Sequence, residues 1–336
     1  MVRNRGPELS IGRDATGGGA RYTAGLLRQD LALADFGARR FRLRPGPARG
    51  MLEAAARSFL EGFNAAATWR TLDRAVDAIE RVDKPLRGFA FEGAGMAYTL
   101  LDMGTLARGR RVRDLLEGAG ADYRHLVHVG TGWGYAKLGL RPGSRAPKGT
   151  DPLLHWLAWD GYGFHQGFFH SDRVVGGRRL ERGLTGDRRA IRDQGLGRAL
   201  WFHECADPEG VSLRIAEFPA FRRADLWSGI GLAATYAGGA DRDELARLRD
   251  HAGEYRADLA QGCAFASAAR LLSGVVPEHT EAAAAVLAGA PVPVAAGWTD
   301  EAKAALGAGA GGSADYQRWR SGIRERWAHR AQRGGN

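Results

Sequence analysis

Two kinds of apolar pattern alternate along the chain. Arginine-rich stretches such as "TLDRAVDAIERV" (Thr71 to Val82), "RRVRDLLEGAG" (Arg110 to Gly120) and "DRDELARLRDHAG" (Asp241 to Gly253) predict amphipathic helices with one solvated face. Between them lie segments rich in glycine and apolar on most sides: "LEGFNAAA" at Leu60, "FEGAGMAY" at Phe91, "HVGTGWGY" at His128, "WDGYGFHQ" at Trp159, "DQGLGRAL" at Asp193, "WSGIGLAA" at Trp227 and "AQGCAFAS" at Ala260. Their first glycines, Gly62, Gly93, Gly130, Gly161, Gly195, Gly229 and Gly262, are spaced by 31, 37, 31, 34, 34 and 33 residues, a period suited to stacked helix pairs.

Small residues recur at the first glycine and again two and four positions later, as in Gly229, Gly231 and Ala233. Positions four apart nearly coincide on a helix and positions two apart lie on nearly opposite sides, so each segment has two small flanks. Glycine in a helix interior is costly unless a neighbour approaches closely, and two such flanks suit helices standing side by side. The predicted fold is therefore all-α, with repeated helix pairs in an α/α toroid of about seven repeats; an open α-solenoid satisfies the same spacing. The expected organisation is an N-terminal extension over residues 1–50, one helical-repeat domain over 51–290, and a C-terminal linker and helix over 291–336, the helix at "YQRWRSGIRERWAHR". The Pro/Gly-rich 140–152 reads as loop, 172–187 as loop or short hairpin, and "GVSLRIAEFPAF" (Gly210 to Phe221) as a segment that could hold a strand.

The remaining two faces differ. The residue after the first glycine is mostly apolar and is expected to pack on the outer layer. The residue before it is Glu61, Glu92, Val129, Asp160, Gln194, Ser228 or Gln261, and four further on stand Ala65, Met96, Trp133, Phe164, Arg198, Leu232 and Phe265. These share a face, expected to look into a central cavity. Carboxylates gathered there in apolar surroundings acquire the raised pKa of a general acid, which makes Glu61, Glu92 and Asp160 the catalytic candidates. Gln194, Gln261, Trp133, Phe164 and Phe265, with Trp159 and Trp227 at the edge, are candidates for lining an unsaturated or cationic substrate. His165 joins the catalytic set, because the other repeats carry alanine or glycine at its position. The competing reading makes the acids helix cross-links and His165 a hydrogen-bonded core residue.

With 44% hydrophobic and 26% charged residues, the composition is that of a globular protein with a sizeable core. The net charge of +10 comes almost wholly from arginines scattered along the chain, without a recognition motif, so nucleic acid is not an expected partner. Cys205 and Cys263 are too few for a disulfide framework. The histidines lack the i, i+4 spacing of a helical metal pair, so no metal is expected. "GTGWG" and "EGAGMA" resemble fragments of nucleotide loops but lack the strand, spacing and lysine of such sites, so no cofactor is expected. No apolar run approaches the roughly 20 residues of a transmembrane helix, and the first residues lack an apolar signal core; the expected location is the cytoplasm.

Several long blocks, "GFAFEGAGMAYTLLDMG", "HLVHVGTGWGYAKLGLRP", "DPLLHWLAWDGYGFHQGFFH", "IRDQGLGRALWFHECADP", "ADLWSGIGLAATYAGG" and "AQGCAFASAARLLSGVVPEHTEAA", resemble an uncharacterised protein family associated with enediyne polyketide gene clusters. The resemblance runs from about Phe41 to Leu287. It implies a biosynthetic role beside an iterative polyketide synthase that makes a linear polyene, and it assigns no residue a role. Two functions follow as expectations. One is a cofactor-independent enzyme that cyclises, isomerises or matures a hydrophobic polyene by acid-base chemistry; the other is a non-catalytic protein that shelters the polyene or docks on the synthase or another pathway protein. A terpene-type cyclase is a narrower version of the first, although the aspartate-rich tetrapeptide usual to such enzymes is missing.

Overall fold

The computed structural model describes residues 27–334, except 70, 106, 108 and 148; the earlier part of the predicted N-terminal extension lies outside the described residues. After a 3-10 turn (Leu31–Ala34) and the short α1 (Phe36–Arg39) come α2 (Pro47–Thr68), α3 (Leu72–Ile79), α4 (Arg87–Met103), α5 (Arg110–Glu117) and α6 (Arg124–Lys137). The chain continues through α7 (Leu157–Phe169), α8 (Gly186–His203), α9 (Pro208–Ala216), α10 (Ala220–Ala237), α11 (Arg242–Ala252) and α12 (Arg256–Leu272). It ends with α13 (Glu278–Ala283, prolonged by a π-helical turn over Ala284–Ala288), α14 (Val292–Ala304) and α15 (Ser313–Gly334). The described residues are 75% helix without a strand, as the repeat pattern predicts.

The seven glycine-rich segments are α2, α4, α6, α7, α8, α10 and α12, and each packs on the next in that order. Arg222 near the start of α10 holds Asp193 in the first half of α8, while Trp201 near the end of α8 donates to the Gly238 carbonyl just past α10. These two helices therefore run in the same direction, with the short α9 in the connection between them.

Glycine is what lets the array close up. A methyl group on Gly161 would lie 2.8 Å from the carbonyl carbon of Val129 in the preceding helix, and one on Gly163 2.8 Å from that of Arg192 in the following helix. The division repeats: Gly130, Gly195, Gly229 and Gly262 rest on the preceding helix, and Gly95, Gly132, Gly197 and Gly231 on the following one. Each glycine costs about 1 kcal/mol of helix propensity relative to alanine. Backbone contact at this range returns van der Waals packing and Cα–H···O contacts of about 0.5–1 kcal/mol each.

The same pattern corrects the register of the first repeat. Gly62 meets Ala90 of the following helix, so it plays the part of a second glycine, and Leu60 stands where the other repeats have their first. Gly93 accordingly rests on Phe59. Phe59, not Glu61, is the α2 residue that stands level with Glu92.

The curl is too tight for a wide lumen. The backbone after α10 meets α2, where a methyl group on Gly238 would lie 2.7 Å from Met51 Sδ. Arg270 near the end of α12 donates to the Pro85 carbonyl ahead of α4 at 2.7 Å. Phe89 and Tyr236 meet edge to face, with ring centroids 5.2 Å apart.

The chain ends close the two sides. Residues 27–46 form a strap, fixed to α2 by reciprocal bonds between Gln29 and Asn64 and by the Phe36 N–H on Glu53 (2.8 Å). Farther along, Arg42 pairs with Asp207 (2.6 Å) and Arg44 pairs with Glu244. Phe36 and Phe41 are buried, so this part of the expected extension belongs to the core. Opposite it, Tyr316, Trp319, Arg320 and Ile323 of α15 are buried against the array.

Three local expectations change. The segment expected to hold a strand is helical, because Asp207 accepts from the Gly210 N–H and Pro208 opens α9. The region 172–187 begins with a π-helical turn and contains no hairpin. The expected linker after residue 291 contains α14, packed on α12. No single helix among the described residues is long and apolar enough to cross a membrane.

Candidate functional site

The structure brings Glu92, Asp160, Gln194 and Gln261 into one buried hydrogen-bonded chain spanning α4, α7, α8 and α12. Trp133 Nε1–H donates to Glu92 Oε1 (2.9 Å), and Arg198 reaches Glu92 Oε2 (3.5 Å) and Asp160 Oδ1 (2.6 Å). Gln194 Nε2 donates to Asp160 Oδ2 at 2.8 Å. Asp160 thus fixes which way the Gln194 amide points. Arg320 Nε, donating to Gln261 Oε1 (3.0 Å), fixes the other amide. The Ser228 hydroxyl lies between the two amide oxygens, 3.1 Å from Gln194 and 2.9 Å from Gln261, and its one proton is shared. Arg320 continues the chain to Asp225 (2.9 Å).

Arg198 is the hub. Only 3% exposed, it lies 4.5 Å from the Phe164 ring centroid as well as on both acids, and those acids raise its pKa against the effect of burial. Burial pushes the Glu92 carboxyl up to about 7; Arg198 and Trp133 pull it down, and the charge on Asp160 adds to the rise. A carboxyl group near half-protonation at neutral pH is suited to giving and taking a proton.

Glu92 borders a cavity of about 30 Å³ between the array and the strap. Its other walls are apolar: Leu33, Ala34, Ala55, Phe59, Phe89, Trp133, Phe164, Phe168 and Phe202 among them. Beyond Arg198 lies a second cavity of about 40 Å³, bordered by Leu126, Leu232, Tyr236, Phe265 and Trp319. The expected single central cavity is thus two small ones.

Four expected site residues stand elsewhere. Glu61, displaced by the register of α2, borders a surface cleft with Arg28, Gln29, Asn64 and Arg81. His165 lies on the flank of α7, with Trp133 at 5.6 Å and Phe169 at 4.9 Å. Its Nδ1 is buried without a hydrogen-bond partner, and burial holds its pKa well below the usual histidine value. Burial and the nearby positive charges favour its neutral form, the opposite of what a cationic proton donor needs. Trp159 lies near Tyr162 (5.7 Å) and Arg188 (6.0 Å), beside a pocket shared with Leu184 and Ser313. Trp227, at the equivalent position of α10, is buried in the core. Among the described residues no three His, Cys, Asp or Glu side chains are grouped as metal ligands are.

Arg198 stands in the repeat pattern at the face position of Trp133 and Phe164, but nothing local shows that it would bridge two acids. Arg320 and Tyr316 arrive from α15, outside the repeats, and carry no sequence signal for this place. A second buried ion cluster was also hidden: Arg222 grips Asp193 through Nε (2.8 Å) and Nη2 (2.6 Å), with Arg189 and Arg192 on the same carboxylate. It joins α8 to α10 and has no place at the cavities.

These features define a class: an all-α helical-repeat protein with a buried carboxyl-guanidinium centre between two apolar cavities. Residues 20–327 match the family model described as protein of unknown function, DUF1702, and the chain belongs to that family. No curated protein and no solved structure matches it.

The electrostatics of Glu92 can be measured directly. Its folded pKa is above the ordinary 4.5, so the group's contribution to stability is full below about pH 4.5 and is lost as the pH rises through about 7. Glu92→Gln removes that dependence. Across this range the variant should gain about 3 kcal/mol relative to the wild type, read from urea unfolding at several pH values. Burial also lowers His125 to about 4 and His128 to about 3, but these groups are common to both proteins and cancel in the difference. A difference that does not vary with pH would remove Glu92 from the role of a perturbed acid.

Proposed function

We propose that the protein acts on a linear, hydrophobic polyene of the kind an iterative polyketide synthase makes, and that Glu92 is its general acid-base. The observation that supports this most is the placement of one charged carboxyl in an otherwise apolar, largely aromatic cavity wall, with a guanidinium behind it. Protonated Glu92 adds its proton to one carbon of a conjugated double bond. The cation that forms is stabilised by the faces of Phe59, Trp133 and Phe164, and Arg198 stabilises the carboxylate. Return of a proton from a neighbouring carbon to Glu92 completes an isomerisation; attack by a second double bond before that return gives cyclisation. Neither outcome needs an oxidant or a cofactor. Asp160 orients Arg198 and is a positioning residue.

The test is incubation of a conjugated polyene in D2O. Deuterium should enter the chain with the wild type and with Glu61→Gln, and incorporation should fall at least about a hundredfold with Glu92→Gln. Full exchange by Glu92→Gln would overturn the assignment. Polyene binding without exchange by any form would favour the second reading, a protein that shelters a polyene without altering it; the almost wholly apolar lining of both cavities is the feature that favours it.

A further inference from the structure

The arginines scattered along the sequence do not stay scattered in the fold. Five of them, Arg249, Arg256, Arg326, Arg330 and Arg333, border one surface cleft of about 890 Å³. The first two come from the end of α11 and the start of α12, the other three from the C-terminal half of α15. Arg326, Arg330 and Arg333 follow the i, i+4, i+7 spacing that puts them on one face of that helix. The rest of the lining is largely apolar: Val286, Leu287 and Ala288 of the π-helical turn, with the indoles of Trp298 and Trp327. None of these residues borders either of the two buried cavities.

Charge is not balanced in this cleft. Asp250 pairs with Arg249 (3.0 Å) and Arg256 (2.9 Å), and Glu301 pairs with Arg326 (3.0 Å). Five guanidinium groups thus meet two carboxylates, and three positive charges are left over. Both acids are more than half exposed, so their pairs are screened by water and free to rearrange around a guest. Arg330 uses only Nε, on the Gly289 carbonyl (3.5 Å); among the described residues its two Nη groups have no partner, and neither has the Arg333 side chain. Helix dipoles favour arginine at the C-terminal ends of α11 and α15, but not Arg256, which opens α12. Nor does a dipole explain why these ends bring their arginines to one cleft, where like charges repel until an anion stands between them.

The excess decides the class of guest. A carboxylate would cancel one of the three charges, whereas a phosphate monoester carries about 1.5–2 and a diphosphate more. Guanidinium forks match phosphate oxygens in geometry as well as charge. The indoles and the aliphatic turn offer a surface to an organic body, and the cleft has the volume of a small-molecule site. Its concave form between helices fits a molecule in solution better than the flat surface of a bilayer.

We propose that this cleft binds a soluble organic phosphate ester, with its phosphate groups among Arg256, Arg330 and Arg333 and its body against Trp327 and the π-helical turn. The site is separate from Glu92 and stands whether or not the polyene reading does.

Adenosine diphosphate is the probe, because it joins a flat ring to a diphosphate, and adenosine and pyrophosphate serve as its two halves. Titration calorimetry on the full chain at about 0.15 M salt, where loose surface attraction is screened, should show ADP binding at least about tenfold tighter than either half. Arg330→Gln combined with Arg333→Gln should weaken ADP binding at least about tenfold. Both side chains are exposed, so the fold should be unchanged, which circular dichroism checks. Arg247→Gln, at an exposed position of α11 that does not border the cleft, should bind ADP as the wild type does. Undiminished binding by the double variant, or an equal loss with Arg247→Gln, overturns the site. Pyrophosphate binding as tightly as ADP overturns the part given to the organic body. A wild type that ignores ADP, or that binds vesicles of phosphatidic acid over those of phosphatidylcholine while ignoring ADP, overturns the proposal of a soluble ligand.

Discussion

Gly163→Ala is expected to yield little or no folded protein, whereas Gly297→Ala should melt at or above the wild-type temperature. Both glycines lie inside helices, α7 and α14, so intrinsic propensity favours alanine at each by about 1 kcal/mol. The difference lies in what the new methyl group meets. At Gly297 nothing stands within 4 Å. At Gly163 the methyl would lie 2.8 Å from the carbonyl carbon of Arg192, closer to its oxygen, and that obstacle is helix backbone. Relief requires α7 and α8 to separate. Separation would also strain the bonds of Asp160 to Arg198 and Gln194, because both of those residues lie on α8. A loss of at least about 4 kcal/mol is expected, beyond ordinary overpacking because the neighbour cannot rotate away. Circular dichroism and urea titration of the two variants provide the measurement. A Gly163→Ala protein within a few degrees of the wild type would show that the helices are not in backbone contact.

The second large effect concerns Asp160. Removing its charge leaves Arg198 buried with only Glu92 at 3.5 Å as an acidic partner. Breaking a buried pair in this way costs about 3–5 kcal/mol, because the remaining charge stays out of water without compensation. Asp160→Asn should lower stability by that amount, and Arg198→Met should do comparable harm by stranding Asp160. The double variant should be more stable than the sum of the two losses predicts, by about 2 kcal/mol or more, since neither charge is then left alone. Denaturant unfolding of the four proteins closes the cycle. Strict additivity would mean that the short contact between them contributes nothing to the fold.

Much of the architecture is legible in the glycines. Pairs two residues apart, such as Gly161 with Gly163, announce a helix with two close neighbours, and from that follow the array and the face that carries Glu92 and Asp160. The error at Glu61 has a specific cause. Helix α2 has a single glycine in its segment, and aligning it with the first glycine of its relatives, when it does the work of the second, turns the inner face by two residues. Arg198 could be placed on the correct face, but its two acids come from helices 38 and 106 positions away in the chain. Contacts of that range have no local pattern. The same holds for Arg320, Tyr316 and Trp319, which enter from a helix that obeys no repeat. His165 departs from the small residues of its relatives, but it fills a flank against Trp133 and makes no hydrogen bond to the acids.

The strap has a consequence for when the carboxyl can act. Glu92 holds its proton near neutrality because water is kept away, and on that side the cover is a segment outside the repeats, tied down at Asn64, Asp207 and Glu244. Once those ties let go, water reaches the carboxyl and it reverts to an ordinary ionised acid. On the proposed reading, a guest long enough to need the strap lifted enters past an ionised carboxylate, which takes up a proton from water as the cover settles. Proton uptake and closure are then linked, and an open site has no proton to lose to the wrong molecule.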